Sequence, residues 1–256
     1  MRPNTVKEKV FRGEPAIGAM LQFPSPELVE LYALLGFEWI FIDAEHGPLG
    51  YHECQTLVRA CDAFGISSLV RVPRLDHSLI SKYLETGAQG VAVPHIKTVA
   101  DAEAVVQAAR YYPAGRRGWD AGASRSSDYN LRGSPLDYFA RSNQEIMVAL
   151  WIEDVEGIEN LDAILQVPGV DVINFGIGDL SFSMGLPAQF DHPDVRAAVA
   201  EGRRKVVQAG KVLIGEAADA ETARRLMDEG ARLISTMVNA MLARTVRDYL
   251  AQLRQP

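Results

Sequence analysis

The 256-residue sequence predicts a single-domain (β/α)8 TIM barrel spanning residues 1–256, and three observations carry that expectation. Eight short apolar runs alternate with longer segments of helical period almost from end to end, the pattern of parallel strands joined by crossover helices. Most of the helical segments stop on a glycine suited to a left-handed cap. The length fits eight βα units in one domain, and no GxGxxG follows the first strand, as a doubly wound dinucleotide fold would require.

Strands are expected at AIGAML (16–21), WIFID (39–43), SLVRV (68–72), GVAV (90–93), IMVALWI (146–152), VDVINF (170–175), KVLIG (211–215) and RLISTM (232–237). Each is a short, mainly apolar run, as expected of a strand covered on both faces. The helical segments between them include PELVELYALLG, HECQTLVRACDAFG, HSLISKYLETG, VADAEAVVQAARYY, VRAAVAEGRRKVVQAG and DAETARRLMDEG. Residues 111–135, YYPAGRRGWDAGASRSSDYNLRGSP, break the rhythm: they are rich in glycine, serine and arginine and show no helical stripe. An irregular stretch this long inside a compact domain is usually functional. It is expected to shape the substrate pocket together with Trp151 and Met20.

With 48% apolar residues the chain can bury one core without disulfides or a structural metal. A net charge of −7 opposes binding to nucleic acid or to anionic membranes. Cys54 and Cys61 lie two helical turns, roughly 10 Å, apart, too far for a bridge. The first residues lack a signal-peptide pattern, and nowhere do eighteen apolar residues run together. A cytoplasmic protein whose partners are small molecules and copies of itself is expected.

Active sites of such barrels lie at the carboxyl ends of the strands. Asp43, Glu45 and His46 follow the second strand, Arg71 closes the third, Glu153 follows the fifth and Asp179 the sixth. Asp154 and Asp219 read as helix N-caps. Glu153 and Asp179 have no neighbouring lysine or arginine, and two unpaired carboxylates at a dry rim call for a cation between them. Oxygen donors without cysteine or histidine at zinc spacing favour Mg²⁺ or Mn²⁺. Asp43, three residues from His46, is expected to orient its imidazole as a base. Arg71, costly inside an apolar run, is expected to meet negative charge on the substrate. Glu45 is either a third member of the pair or faces backbone, and His95 either touches ligand or has a structural role. Arg117 binds a substrate carboxylate, holds a neighbouring subunit or faces water, and His52, His77 and His192 read as solvent-facing. The segments after strands seven and eight, GEAADA and TMVNAM, lack a glycine-rich phosphate cup.

The segments FEWIFIDAEHGPLG, LVRVP, AVPHIKTVADAEAVVQAARYYPAGRRG, WIEDVEGIENLDAILQVPGVDVINFGIGDLSFSMG and GARLISTMVNAMLAR resemble, in that order, the HpcH/HpaI family of metal-dependent (class II) pyruvate aldolases of the phosphoenolpyruvate/pyruvate superfamily. The resemblance implies a (β/α)8 barrel whose C-terminal helix is exchanged between subunits, and a homohexamer built from dimers. It implies a divalent ion, Mg²⁺, Mn²⁺ or Co²⁺, that holds the enolate of pyruvate. By position, its metal ligands fall on Glu153 and Asp179, its base on His46 with Asp43, and its enolate-stabilising arginine on Arg71. The turn that holds the pyruvate carboxylate falls on Gly176, Ile177, Gly178 and Asp179. Two departures touch the pocket wall: Trp151 stands where many members have glutamine, and Gly-Ile-Gly-Asp replaces Gly-Pro-Ala-Asp.

The reaction so implied is aldol cleavage of a 4-hydroxy-2-keto acid to pyruvate and an aldehyde, and its reverse. Three alternatives compete with it. A Schiff-base aldolase would need Lys97, the one of six lysines near the mouth. A CoA-thioester lyase of the citrate or malyl-CoA type would need a basic nucleotide groove, and a sugar-acid-binding barrel would have lost catalysis.

Overall fold

The computed structural model describes residues 1–122 and 124–254. Eight parallel strands close into a barrel in chain order: β1 (Ala16–Leu21), β2 (Trp39–Asp43), β3 (Ser67–Arg71), β4 (Gly90–Val93), β5 (Met147–Ile152), β6 (Val172–Phe175), β7 (Val212–Glu216) and β8 (Leu233–Met237). β8 returns to pair with β1, Ala16 opposite Leu233. Every expected strand is present, with ends shifted by no more than about two residues.

The helices are α1 (Thr5–Phe11), α2 (Pro26–Leu34), α3 (Tyr51–Ala63), α4 (His77–Leu84), α5 (Val99–Ala109), α6 (Pro135–Glu145), α7 (Val155–Glu159), α8 (Leu161–Ile164), α9 (Ile177–Ser183), α10 (Pro193–Gln208), α11 (Ala220–Asp228) and α12 (Val238–Leu253). α1, α6 and the short α7, α8 and α9 are additional to the helical segments named from the sequence. α6 starts cleanly, with Pro135 in its first turn and the Ser134 hydroxyl accepting from Leu136 N–H.

Strand alternation divides the core into two layers. Val91, Val148, Leu150, Ile173 and Leu213 face outward to the helices, while Trp39, Phe41, Leu69, Met147, Trp151, Val172 and Ile214 fill the barrel. Large and small residues interlock inside. A Cβ at position 18 would overlap the Trp39 indole, so glycine there lets the ring cross the barrel, and Trp39 Nε1 donates to Ala16 O at 3.2 Å. Val6 and Val10 of α1 join this inner cluster and close the amino-terminal end. Asn4 fixes the plug by donating to the carbonyls of Gln89 and Glu145 at 3.1 and 3.0 Å and accepting from Ser67 Oγ at 3.0 Å.

α5 returns the chain to this closed end, and the irregular segment that follows stays there. Arg117 N–H donates to Arg110 O, whose guanidinium binds Ile146 O and Asp171, just before β5 and β6. Arg125 bonds Thr86 O and Asp62. The expectation that residues 111–135 shape the pocket is therefore corrected: the described residues of this stretch lie at the rim opposite the strands' carboxyl ends. Arg117 is buried, its guanidinium 4.8 Å above the Tyr111 ring, and so does not face water.

α12 is unlike the other helices. Val238 is its buried residue, and Leu242, Val246, Tyr249 and Leu253 are exposed. Beside it, an apolar groove of about 420 Å³ lined by Ile17, Phe37, Ala223, Met227, Ile234 and Met241 lies on the barrel wall.

Candidate active site

The open end of the barrel gathers polar residues from most of its strands. Asp43 and Arg71 end adjacent strands in register with each other. Arg71 Nε donates to Asp43 Oδ1 at 2.9 Å and Nη2 to Oδ2 at 2.8 Å, a bidentate pair with both side chains buried. Beneath it, Phe41 and Trp151 stack at 5.0 Å, and the guanidinium carbon lies 5.6 and 5.7 Å from their rings. Burial alone would raise the pKa of Asp43, but the hydrogen bonds and charge of Arg71 outweigh it and hold the carboxyl below its ordinary value. Trp151, inward-facing on β5, is part of the floor of the site.

The expected pairing of Asp43 with the His46 ring is corrected. Asp43 Oδ1 accepts from the backbone N–H groups of Glu45 and His46 at 3.2 and 3.3 Å, and Oδ2 accepts from Gln22 Nε2 at 2.8 Å. All its lone pairs are committed, so it shapes the turn and fixes Arg71 instead. The half-exposed His46 ring approaches Glu45, Nε2 to Oε2 3.6 Å. Of the two roles open to Glu45, partnership with His46 is the one the geometry supports. Glu45 Oε2 is also 3.1 Å from Arg71 Nη1, yet this buried atom is left without a hydrogen bond.

Glu153 follows β5 and is buried. Its Oε1 accepts from the backbone N–H of His95 at 2.8 Å, and a Cβ at Gly176 would overlap its Oε2, so glycine at the end of β6 makes room for the carboxylate. Burial raises its pKa above the usual range, as it does for Glu45 despite the opposing charge of Arg71. His95 adopts φ +55°, an uncommon conformation outside glycine, and its Nδ1 lies 3.1 Å from Asp154 Oδ2 and 3.6 Å from Glu153 Oε1. Glu45, His95 and Glu153 each bring a donor atom within 4.8 Å of the others, a set that fits a metal ion. Asp179, in the first turn of α9 after β6, is exposed and lies outside that set.

Asp219 caps α11 through Thr222 N–H at 2.7 Å, as expected. Asp154 occupies the cap position of α7 but spends its carboxylate on His95 and Lys97. That contact raises the Lys97 pKa, the opposite of what a Schiff-base lysine needs. Cys54 and Cys61 are free and buried, and burial pushes the Cys54 thiol up to about 12.

Three mouth residues are additional to the expected set, Gln22, Asn174 and Glu216, while His95, left open between a ligand contact and a structural role, lies beside Glu153. The signal for Glu216 was present in β7, where Val212, Ile214 and Glu216 share the inward side.

A family description, HpcH/HpaI aldolase/citrate lyase, matches residues 17–245 of the sequence. The chain belongs to this family. Among HpcH/HpaI relatives, it is 38% identical to a hydroxypyruvate/pyruvate aldolase of Deinococcus radiodurans over 208 residues, 81% of this chain and 74% of the relative. It is 35% identical to a 2-keto-3-deoxy-L-rhamnonate aldolase of Klebsiella pneumoniae, covering 81% of this chain and 77% of the relative. The crystal structure of an HpcH/HpaI aldolase/citrate lyase family protein from Burkholderia cenocepacia superimposes with a TM-score of 0.91 at 30% identity, covering 98% of this chain and all of that one. This HpcH/HpaI barrel is accordingly a carbon–carbon lyase of the aldolase kind, with small keto acids as substrates, and the CoA-thioester reading is the less favoured.

Proposed function

We propose that the chain cleaves a 4-hydroxy-2-keto acid to pyruvate, or a close analogue, and an aldehyde, and catalyses the reverse addition, with Mg²⁺, Mn²⁺ or Co²⁺ as cofactor. The observation that carries this reading is a rigid buried cation, Arg71, set beside a carboxylate group that is itself short of positive charge. Glu153 and Asp179 are the proposed ligands, with Glu45 and His95 beside them. The Glu45 Oε2 left without a hydrogen bond and the raised carboxyls of Glu45 and Glu153 suit a divalent ion with a preference for oxygen. Such an ion supplies Lewis-acid chemistry, polarising the keto group so that the C3–C4 bond can break.

Arg71 presents a fixed charge to the enolate oxygen as it forms, and Asp43 keeps it from reorganising. His46 takes the proton of the C4 hydroxyl, directly or through a water, and returns it in synthesis, with Glu45 as its neighbour. A placed base of this kind is worth roughly 10² to 10⁴ in rate. The Trp151–Phe41 floor keeps water from beneath the reacting carbons, and Gly176, Ile177, Gly178 and Asp179 receive the substrate carboxylate.

We also propose assembly as a homohexamer, a trimer of dimers, with α12 exchanged, since its exposed apolar face and the apolar groove beside it suit one another. No described helix is long and apolar enough to cross a membrane. A cytoplasmic setting is proposed from the free, buried thiols. The deciding experiment follows pyruvate release from a panel of 4-hydroxy-2-keto acids after chelation and again after Mg²⁺ or Mn²⁺ is restored. Release that ignores the chelator throughout would remove the metal from the scheme.

A further inference from the structure

The proposed scheme leaves one carboxylate at the mouth without a task. Glu216 closes β7 on the side of Val212 and Ile214, which point into the barrel, so alternation turns it inward at the same end as Arg71. Its Oε1 accepts from Asn174 Nδ2 at 2.9 Å, and Asn174, on β6, is only 3% exposed. Burial pushes the Glu216 carboxyl up, and Arg71 and Asp43 are near enough to act on its charge, yet the residue as a whole is exposed. It lines, with Ile177 of α9, Arg203 of α10 and Leu226 of α11, a cavity of about 820 Å³ that runs down between α10 and α11. Among the described residues Asn174 is its hydrogen-bond partner and no ion pair neutralises it.

We propose that Glu216, oriented by Asn174, determines specificity for the aldehyde half of the substrate: its free oxygen accepts a hydrogen bond from a hydroxyl beyond C4, and its charge rejects chains ending in a carboxylate. The proposal rests on the aldolase reading above and names, within it, hydroxylated sugar-derived aldehydes as the partner class. A site built to pair with a substrate hydroxyl discriminates strongly against a ligand that leaves its polar group unpaired, and a like charge adds a repulsive element.

The test compares kcat/KM for pyruvate release from two 4-hydroxy-2-keto acids of equal length, one ending in a hydroxymethyl group and one in a carboxylate. Their ratio is independent of how much of each preparation is active. The unmodified enzyme is expected to favour the hydroxymethyl substrate by about tenfold or more. Glu216→Gln should shrink that ratio, and Glu216→Leu should erase or invert it. A ratio unmoved in both variants, or a native preference for the carboxylate, overturns the proposal. Exchange of the pyruvate methyl protons with D2O, followed by NMR on the native enzyme without aldehyde, separates the two levels. Exchange with an unmoved ratio sinks the subsite and spares the aldolase reading, whereas no exchange with any divalent ion sinks both.

Discussion

Arg71 and Asp43 face each other through two parallel hydrogen bonds of 2.9 and 2.8 Å, and this pair, rather than an Asp–His pair, organises the mouth of the barrel. Removing the carboxylate leaves a buried guanidinium with Glu45 as its remaining ion pair among the described residues. Asp43→Ala is expected to destabilise the fold by about 3 kcal/mol, measured by urea unfolding, and to lower pyruvate release by about 10²-fold. A loss under about 1 kcal/mol would mean that Glu45 takes over the charge.

Gly176→Ala should displace the Glu153 carboxylate, because the added Cβ overlaps its Oε2. The expected result is a fall of about 10- to 100-fold in Mn²⁺ affinity by calorimetry. Glu153→Ala and Asp179→Ala should each abolish metal-dependent release. Because Asp179 is exposed, its replacement should leave the melting temperature of the metal-free protein within about 1 °C of the parent.

Burial raises the carboxyls of Glu153 and Glu45 above the ordinary glutamic acid value near 4.3. A carboxyl raised in the fold contributes stability that is complete below its unfolded pKa and is lost as pH climbs through the folded one. The metal-free protein should therefore melt higher at about pH 5 than at about pH 8, and Mg²⁺ should add more at the higher pH. Asp43 acts oppositely, its contribution disappearing only as pH falls below about 4. Equal melting temperatures at both pH values would show that the two glutamates are already neutralised.

His46→Ala should reduce cleavage by about 10²-fold or more while metal affinity stays unchanged. The ring is half-exposed and its approach to Glu45 Oε2, at 3.6 Å, is too long for a hydrogen bond, so stability should not move. Normal turnover in this variant would exclude His46 as the base.

The barrel was legible because apolar runs repeat eight times and most of the helical segments between them stop on glycine, and the mouth was legible because strand ends fix its direction. Asp43, Arg71, Trp151 and Glu153 could all be placed by counting along their strands. What counting cannot supply is the direction of a side chain once the strand has ended, which is why the Asp43 carboxylate was assigned to the His46 ring when it serves two backbone N–H groups and Arg71. The approach of Glu45, His95 and Glu153 joins three separate connections and leaves no local signature. The position of residues 111–135 was recoverable, since a segment that follows a barrel helix begins at the closed rim.

Trp39 wedged against Gly18, with α1 below it, stoppers the barrel at its base. Traffic must then pass through one door. A three-carbon product seated against Arg71 sits behind the aldehyde and departs after it, and in synthesis it arrives before it. The plug thereby imposes a last-in, first-out order that inhibition patterns will register.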